Sequence, residues 1–261
     1  MADPGSSQRW IPGLIGVATR TDLVYYQAIH AHGSRPWNGG MTVNSYVTSM
    51  FTVDFLSVVQ MLKRGERRGI EAQLFRAAAS LKASGADFLV LTANTLHAYL
   101  DEVRAAGLLP ILDIVASSCA TAKKLGFRKV GVISTSMTVR ENLFQKEGAR
   151  LGLQILVPSP AQARQIDRVI FEELISGVAA EAGIESIREV VHGMAMRGAD
   201  CVFLACTDLT HIADSLMPVP VPILDTTRLH ARFAALSARR GAVHELGPQE
   251  DLGDALLRLP A

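Results

Sequence analysis

Apolar runs of strand length recur along the chain at Leu14–Ala18, Phe88–Leu91, Val130–Ser134, Ile155–Val157, Val202–Ala205 and Val221–Leu224. Stretches with helical spacing separate them. Between Gly69 and Gly85, residues Leu74, Ala78 and Leu81 share one helical face, and Gly85 sits where a helix C-cap belongs. Thr138-Val139-Arg140-Glu141 reads as a capping box opening a helix that ends near Gly152. Ile166, Ile170 and Leu174 continue the spacing toward Gly177, and Ile184–Met196 does the same before Gly198. Short apolar strands alternating with such helices predict βαβ units, an α/β fold whose parallel sheets are buried on both faces. Thr42–Phe51 alternates as a half-buried strand would, and Lys63–Arg68 reads as a solvated helix end.

The pattern repeats. Gly85-Ala86-Asp87-Phe88-Leu89-Val90-Leu91-Thr92-Ala93-Asn94-Thr95 matches, without a gap, a segment that starts 113 residues later at Gly198 and ends in Leu204-Ala205-Cys206-Thr207-Asp208. Gly16-Val17 and Gly131-Val132, 115 apart, look like a second pair. Duplication of this kind predicts two pseudo-symmetric domains, 1–120 with 225–261 and 121–224. Each would offer the carboxyl end of a strand to a shared cleft, where parallel sheets bind ligands. Gly-Ala-Asp also suits any helix-to-strand turn, but that leaves unexplained why both strands end in small, hydroxyl and amide residues.

Composition narrows the function. Hydrophobic residues make up 49% of the 261 and charged residues 20%, enough apolar material for packed cores. The 26 Lys+Arg against 25 Asp+Glu leave +1, which speaks against binding nucleic acid through its phosphates. Cys119, Cys201 and Cys206 form no CxxC pair, so neither a disulfide framework nor a zinc ribbon is indicated. Met1–Arg9 is polar and the apolar stretch from Ile11 stops at Thr19-Arg20, unlike a secretory signal; no run approaches the ~18 apolar residues of a membrane span. The expectation is a soluble, cytoplasmic protein that acts on a small molecule.

Cys206 is the candidate catalytic residue. It follows an apolar strand and precedes Thr207, Asp208 and Thr210, which read as a helix start, where backbone N–H groups would lower a thiol pKa and hold a carboxylate. Cys201 lies inside the strand and reads, with Cys119, as core. Asn94, Thr95, Thr207 and the Ser134-Thr135-Ser136 cluster add short donors at strand ends, a set suited to a small anion. His30-Ala31-His32 has no third ligand in pattern, so no metal site is expected.

These segments resemble the aspartate/glutamate racemase family, the cofactor-independent amino-acid racemases, from about Leu14 to Arg239. Ala93-Asn94-Thr95-Leu96-His97 corresponds to the family's Cys-Asn-Thr-x-His, and Ala205-Cys206-Thr207-Asp208 to its Gly-Cys-Thr-Glu. Gly131–Thr135 with Thr138, Ile166–Gly177 and Asp225–Ala231 also match in order. The resemblance implies two Rossmann-like domains across a cleft, a homodimer, no cofactor or metal, and an amino acid or related carboxylic acid such as aspartate or glutamate as substrate. It implies two-base proton transfer at the α-carbon, with Cys206 as one base, Asp208 beside it, and Asn94, Thr95, Thr135 and Thr207 holding the substrate carboxylate and amine.

The sequence departs from that pattern at Ala93, where the family's first cysteine belongs, since a methyl group transfers no proton. His97 is a candidate for the unserved face, an imidazole being active near neutral pH, or else a structural histidine. Alternatively Cys206 works by itself, in one-sided lyase, isomerase or cyclase chemistry like that of arylmalonate decarboxylase, or the protein binds a small acid without turnover. After the first strand, Ala18-Thr19-Arg20-Thr21-Asp22 replaces the family's Gly-Gly-Met-like turn. There Thr19 and Arg20 are candidate substrate contacts, Arg20 being either a bidentate carboxylate partner or a surface residue.

Overall fold

The computed structural model describes residues 9–32, 35–36, 42–43, 45–243 and 257–258, and these fall into two compact units. One runs to Asp113 and resumes at His230; the other lies between Ile114 and Leu229 and includes Leu257–Arg258. The first contains β1 (Pro12–Gly16), α1 (Thr19–His32), β2 (Arg35–Pro36), β3 (Thr42–Val43), β4 (Ser49–Thr52), α2 (Phe55–Arg64), α3 (Arg67–Ala83), β5 (Phe88–Leu91), α4 (Asp101–Ala106) and β6 (Ile111–Leu112). Its parallel sheet has the order β4-β1-β5-β6, and β2 and β3 form a small antiparallel pair. The second unit follows with α5 (Ile114–Lys124), β7 (Lys129–Ile133), α6 (Ser136–Arg140), α7 (Leu143–Leu151), β8 (Gln154–Leu156), α8 (Pro160–Arg168), α9 (Glu181–Met196), β9 (Cys201–Leu204) and β10 (Ile223–Asp225). Helix α10 (Thr226–Arg240) begins there and passes into the first unit, and β11 (Leu257–Arg258) belongs to the second. The second sheet has the order β11-β10-β9-β7-β8, with β11 antiparallel on the edge.

This is an α/β architecture of two Rossmann-like domains. Its boundaries fall at 113/114 and 229/230 rather than 120/121 and 224/225, because α5 packs on α7 and β10 pairs with β9. Strands β1, β5 and β9 are buried at every residue, which is why they read as unbroken apolar runs. Each unit has its own core, one around Leu74, Leu81, Leu89 and Leu91, the other around Ile170, Ile187, Val202 and Leu204. Among the described residues no helix is long and apolar enough to cross a membrane.

The Gly-Ala-Asp repeat has a shared physical cause. Gly85 and Gly198 take φ 88° and 84°, the left-handed conformation that ends a helix. Ala86 and Ala199 then bury their methyl groups and donate to the carbonyls of Leu81 and Met194. Asp87 accepts from the Ile11 N–H at 2.7 Å, and Asp200 from those of Arg128 and Lys129 at 2.7 and 2.9 Å, pinning the start of the neighbouring strand. Register corrects the second pairing. Gly13 lies opposite Leu89 and Gly131 opposite Val202, positions equivalent in the repeat, so Gly131 corresponds to Gly13 and not to Gly16.

Three other expectations shift. Thr135, not Thr138, caps the helix after β7, and that helix breaks at Asn142, whose φ of 55° separates α6 from α7. Lys63–Arg68 spans a junction in which Gly65, at φ 69°, ends α2 before α3 begins. Of the alternating segment Thr42–Phe51 only Ser49–Phe51 joins the main sheet, in edge strand β4 with Ser49 and Phe51 half-buried; Thr42 and Val43 pair with β2, and 44 lies outside the described residues.

Candidate active site

In the second unit the Ala205 N–H still donates to the Ile133 carbonyl, at 2.8 Å, so Cys206 is the first residue beyond the ladder of β9. Its backbone is extended (φ −133°, ψ 134°), and a five-residue 3-10 turn, Thr207–His211, follows. Cys206 keeps some exposure, whereas Cys119 and Cys201 are fully buried. The N–H groups of Asp208 and Leu209 reach its sulfur, as a helix start would predict, and Sγ lies 3.9 Å from Asp208 Oδ2. The expected lowering of the thiol pKa does not follow. Burial, then the negative charge of Asp208 and, more weakly, of Asp167 outweigh the two N–H groups, and the thiol is pushed far above its ordinary value. A sulfur so placed holds its proton.

The surroundings of Cys206 are fastened by neighbouring strand ends. Thr135 caps α6, its hydroxyl accepting from the Thr138 N–H at 3.4 Å and lying 3.1 Å from the Thr138 hydroxyl. Asp167, from α8, accepts the next N–H, that of Ser136, at 2.9 Å, which fixes a carboxylate at the end of β7. Thr207 is buried, and Asp208 half-buried. Thr210 donates to Asp225, which also accepts from the N–H groups of Thr227 and Arg228 at 2.9 and 3.1 Å. The Asp225–Arg228 motif thus caps α10 and anchors the turn after Cys206.

In the first unit Thr92 occupies the position of Ala205, its N–H bonded to Ile15, and Ala93 occupies that of Cys206. A five-residue 3-10 turn, Thr95–Tyr99, again follows. Ala93 packs on the core, Asn94 is buried and Thr95 half-buried. His97 is 2% exposed, its Nδ1 donating to the Ala93 carbonyl at 2.7 Å. Burial lowers its pKa, so the ring is neutral near pH 7. Its ring stands edge-on to His230, 6.0 Å between centroids. His230 is fully buried, donating from Nε2 to the Leu112 carbonyl at 3.0 Å and accepting from the Tyr25 hydroxyl at 2.9 Å.

Thr19 and Arg20 open α1 and are exposed. The turn also places a residue that the sequence reading passed over. Asp22 is 5% exposed, and its Oδ1 accepts from the Thr92 hydroxyl at 2.6 Å and the Val17 N–H at 3.2 Å. A carboxylate sharing a helix face with Tyr25 and Ile29 was the available signal. Asp167 was likewise passed over inside its motif. Among the described residues no three His, Cys, Asp or Glu side chains cluster to hold a metal; the His32 side chain is outside them.

Two parallel α/β units with the same strand–turn repeat, one turn carrying a thiol and the other a methyl group, define the class. The Asp/Glu/Hydantoin racemase family matches residues 41–234, and the chain belongs to that family. It is 25% identical over 160 residues to the broad specificity amino-acid racemase RacX of Bacillus subtilis (strain 168), covering 59% of this chain and 66% of that one. It is 29% identical over 143 residues to the glutamate racemase of Streptococcus thermophilus, covering 53% and 51%. The chain thus spans less than two thirds of either curated relative. Among solved structures, an aspartate racemase homologue from Pyrococcus horikoshii OT3 superposes with TM-score 0.70 and 25% identity, over 87% of this chain and 98% of that one. Glutamate racemase from Francisella tularensis, solved with D-glutamate, shares the fold at TM-score 0.63 and 13% identity, over 92% and 85%.

Proposed function

We propose that the protein is a cytoplasmic, cofactor-independent isomerase that moves a proton at the α-carbon of an amino acid or related carboxylic acid. It works as a homodimer, with Cys206 as the acid on one face. The observation that carries this reading is the thiol just beyond β9, at the head of the Thr207–His211 turn and 3.9 Å from Asp208 Oδ2. When a base removes the α-proton, the electron pair spreads into the substrate carboxylate, and the S–H returns a proton to carbon. Asn94, Thr95, Thr135 and Thr207 hold the substrate's carboxylate and amine, with Thr19 and Arg20 as further substrate contacts; preorganised donors of this kind stabilise the carbanion-like transition state. His97, neutral and bonded through Nδ1 to the Ala93 carbonyl, is the titratable side chain nearest in sequence to Ala93, and we assign it the second proton.

The methyl group of Ala93 favours a second reading, one-sided chemistry of lyase, isomerase or cyclase type in which the protonated Cys206 is the sole donor. Incubation of candidate acids in D2O, following α-proton loss and chirality together, separates the two. Exchange with inversion supports racemisation, and exchange or protonation with one configuration supports the one-sided reading. Cys206→Ser should lose about 10²–10⁴-fold in rate under either; near-normal turnover would remove the assignment. Ala93→Cys should raise racemisation if the remaining site is competent.

A further inference from the structure

Beside Thr19, the first unit holds a recess of about 230 Å³ lined by that residue and by Asp22, Leu23, Tyr26, Met50 and Thr52. It lies at the carboxyl ends of β1 and β4, the same sheet edge from which Ala93–Thr95 continue β5. Asp22 joins the two places directly, since it binds the hydroxyl of Thr92, the residue before Ala93. The lining is mostly apolar, with the Asp22 carboxylate set into it and Thr52 exposed at its side. Asp22 is nearly buried, while Leu23, Tyr26 and Met50 are 51%, 45% and 42% exposed.

Gly16 shapes the polar end. A methyl group on its α-carbon would come within 2.6 Å of Asp22 Oδ2 and 2.8 Å of Thr52 Oγ1, so the bare glycine lets both oxygens converge over the end of β1. Thr92 and Val17 bond Oδ1, the Ala18 N–H also reaches the carboxylate, and Oδ2 is the oxygen that faces the Thr52 side. Two acceptor oxygens behind an aliphatic and aromatic wall suit an N–H-rich, positively charged group on a hydrocarbon stem, the stem lying on Leu23 and Met50 and the charge passing the Tyr26 ring. An acidic group there would meet Asp22 charge to charge.

We infer that this recess receives the substrate's side chain and selects a basic one, a cationic nitrogen on an alkyl stem as in lysine or arginine, over an acidic one. The inference rests on the proton-transfer reading above and departs from the aspartate or glutamate substrate that the family resemblance implies. The test compares L-lysine, its neutral isostere L-norleucine and L-glutamate with the full chain, by kcat/KM for α-deuterium exchange and by calorimetric binding. Lysine should exceed norleucine by roughly tenfold or more and glutamate by more still. Asp22→Asn keeps an acceptor for Thr92 but removes the charge, and should erase about a tenfold share of the lysine-to-norleucine ratio, through KM. Thr52→Val, at an exposed position, should cut the ratio about threefold and serves if Asp22→Asn fails to fold.

Preference for glutamate overturns the inference. So does an Asp22→Asn loss equal for lysine and norleucine, which would place the α-ammonium, common to both, on Asp22. If none of the three exchanges, the proton-transfer reading fails for these substrates and binding decides the recess by itself. Lysine bound by the wild type and weakened about tenfold in Asp22→Asn then supports it, and equal or absent binding overturns it.

Discussion

Two carboxylates and an apolar strand keep the Cys206 sulfur protonated, which gives its reactivity a definite sign. Alkylation by iodoacetamide should be slow at pH 7–8 and should rise only under strongly alkaline conditions, because the thiolate is the nucleophile. Asp208→Asn removes the carboxylate with the larger effect on the thiol and should speed alkylation at pH 8 by about threefold to tenfold. An unchanged rate would mean that burial acts by itself. The position of Cys206 was legible from the sequence, since a thiol after an apolar strand and before Thr-Asp has few other places to be. Its protonation was not, because that depends on how deeply the strand end is buried and on Asp167, brought in from α8 by the Ser136 N–H. Asp22 escaped for a similar reason: a lone acidic residue after a strand looks like a surface cap until Thr92, 70 residues away, is seen to bond it.

At the level of elements, glycine decides how closely helix and sheet approach. A methyl group at Gly13 would lie 2.8 Å from the Ala86 β-carbon and 3.2 Å from the Phe88 carbonyl oxygen, neither of which can swing away. Gly13→Ala should therefore cost about 1–3 kcal/mol in urea unfolding. Gly131→Ala should cost less, since the nearest obstacle is the flexible Met194 sulfur. The central strands β1, β5 and β9 could be read from sequence because full burial on two faces makes them uniformly apolar. Two-residue β6 could not, being too short to carry a period, and the break at Asn142 was hidden because Asn enters the left-handed region without a glycine to mark it. Capping was misplaced by three residues because Thr135 and Thr138 offer the same hydroxyl, and only the extended backbone of Thr135 makes it the cap.

For the whole molecule, acid should act first on the unit that contains His97 and His230. Both are buried, and both pKa values are lowered by desolvation, that of His230 to about 3. The unfolded chain binds protons at these positions below about pH 6.5 while the folded one does not, so stability is present above that pH and is lost as pH falls toward the folded value. Each histidine contributes up to about 1.4 kcal/mol of loss per pH unit in that window. Chemical denaturation at pH 7.5 and 5.5 should show this decline, with His230→Gln reducing it. A flat profile would mean that neither ring is shielded as described. Asp22 and Asp225 work in the opposite direction: burial raises their pKa values, so the folded state takes up their protons more readily as the solution acidifies.

Helix α10 has a consequence for how the chain is made. The first unit to leave the ribosome cannot close on its own residues, because the Trp10 N–H and the Tyr46 hydroxyl both donate to the Ala238 carbonyl, and Tyr25 waits for His230. Synthesis of more than a hundred intervening residues separates those partners, so the nascent amino-terminal lobe stays open while the lobe behind it assembles most of its sheet. A fragment stopped at residue 113 should remain unfolded, and adding a peptide covering 226–243 should restore its structure.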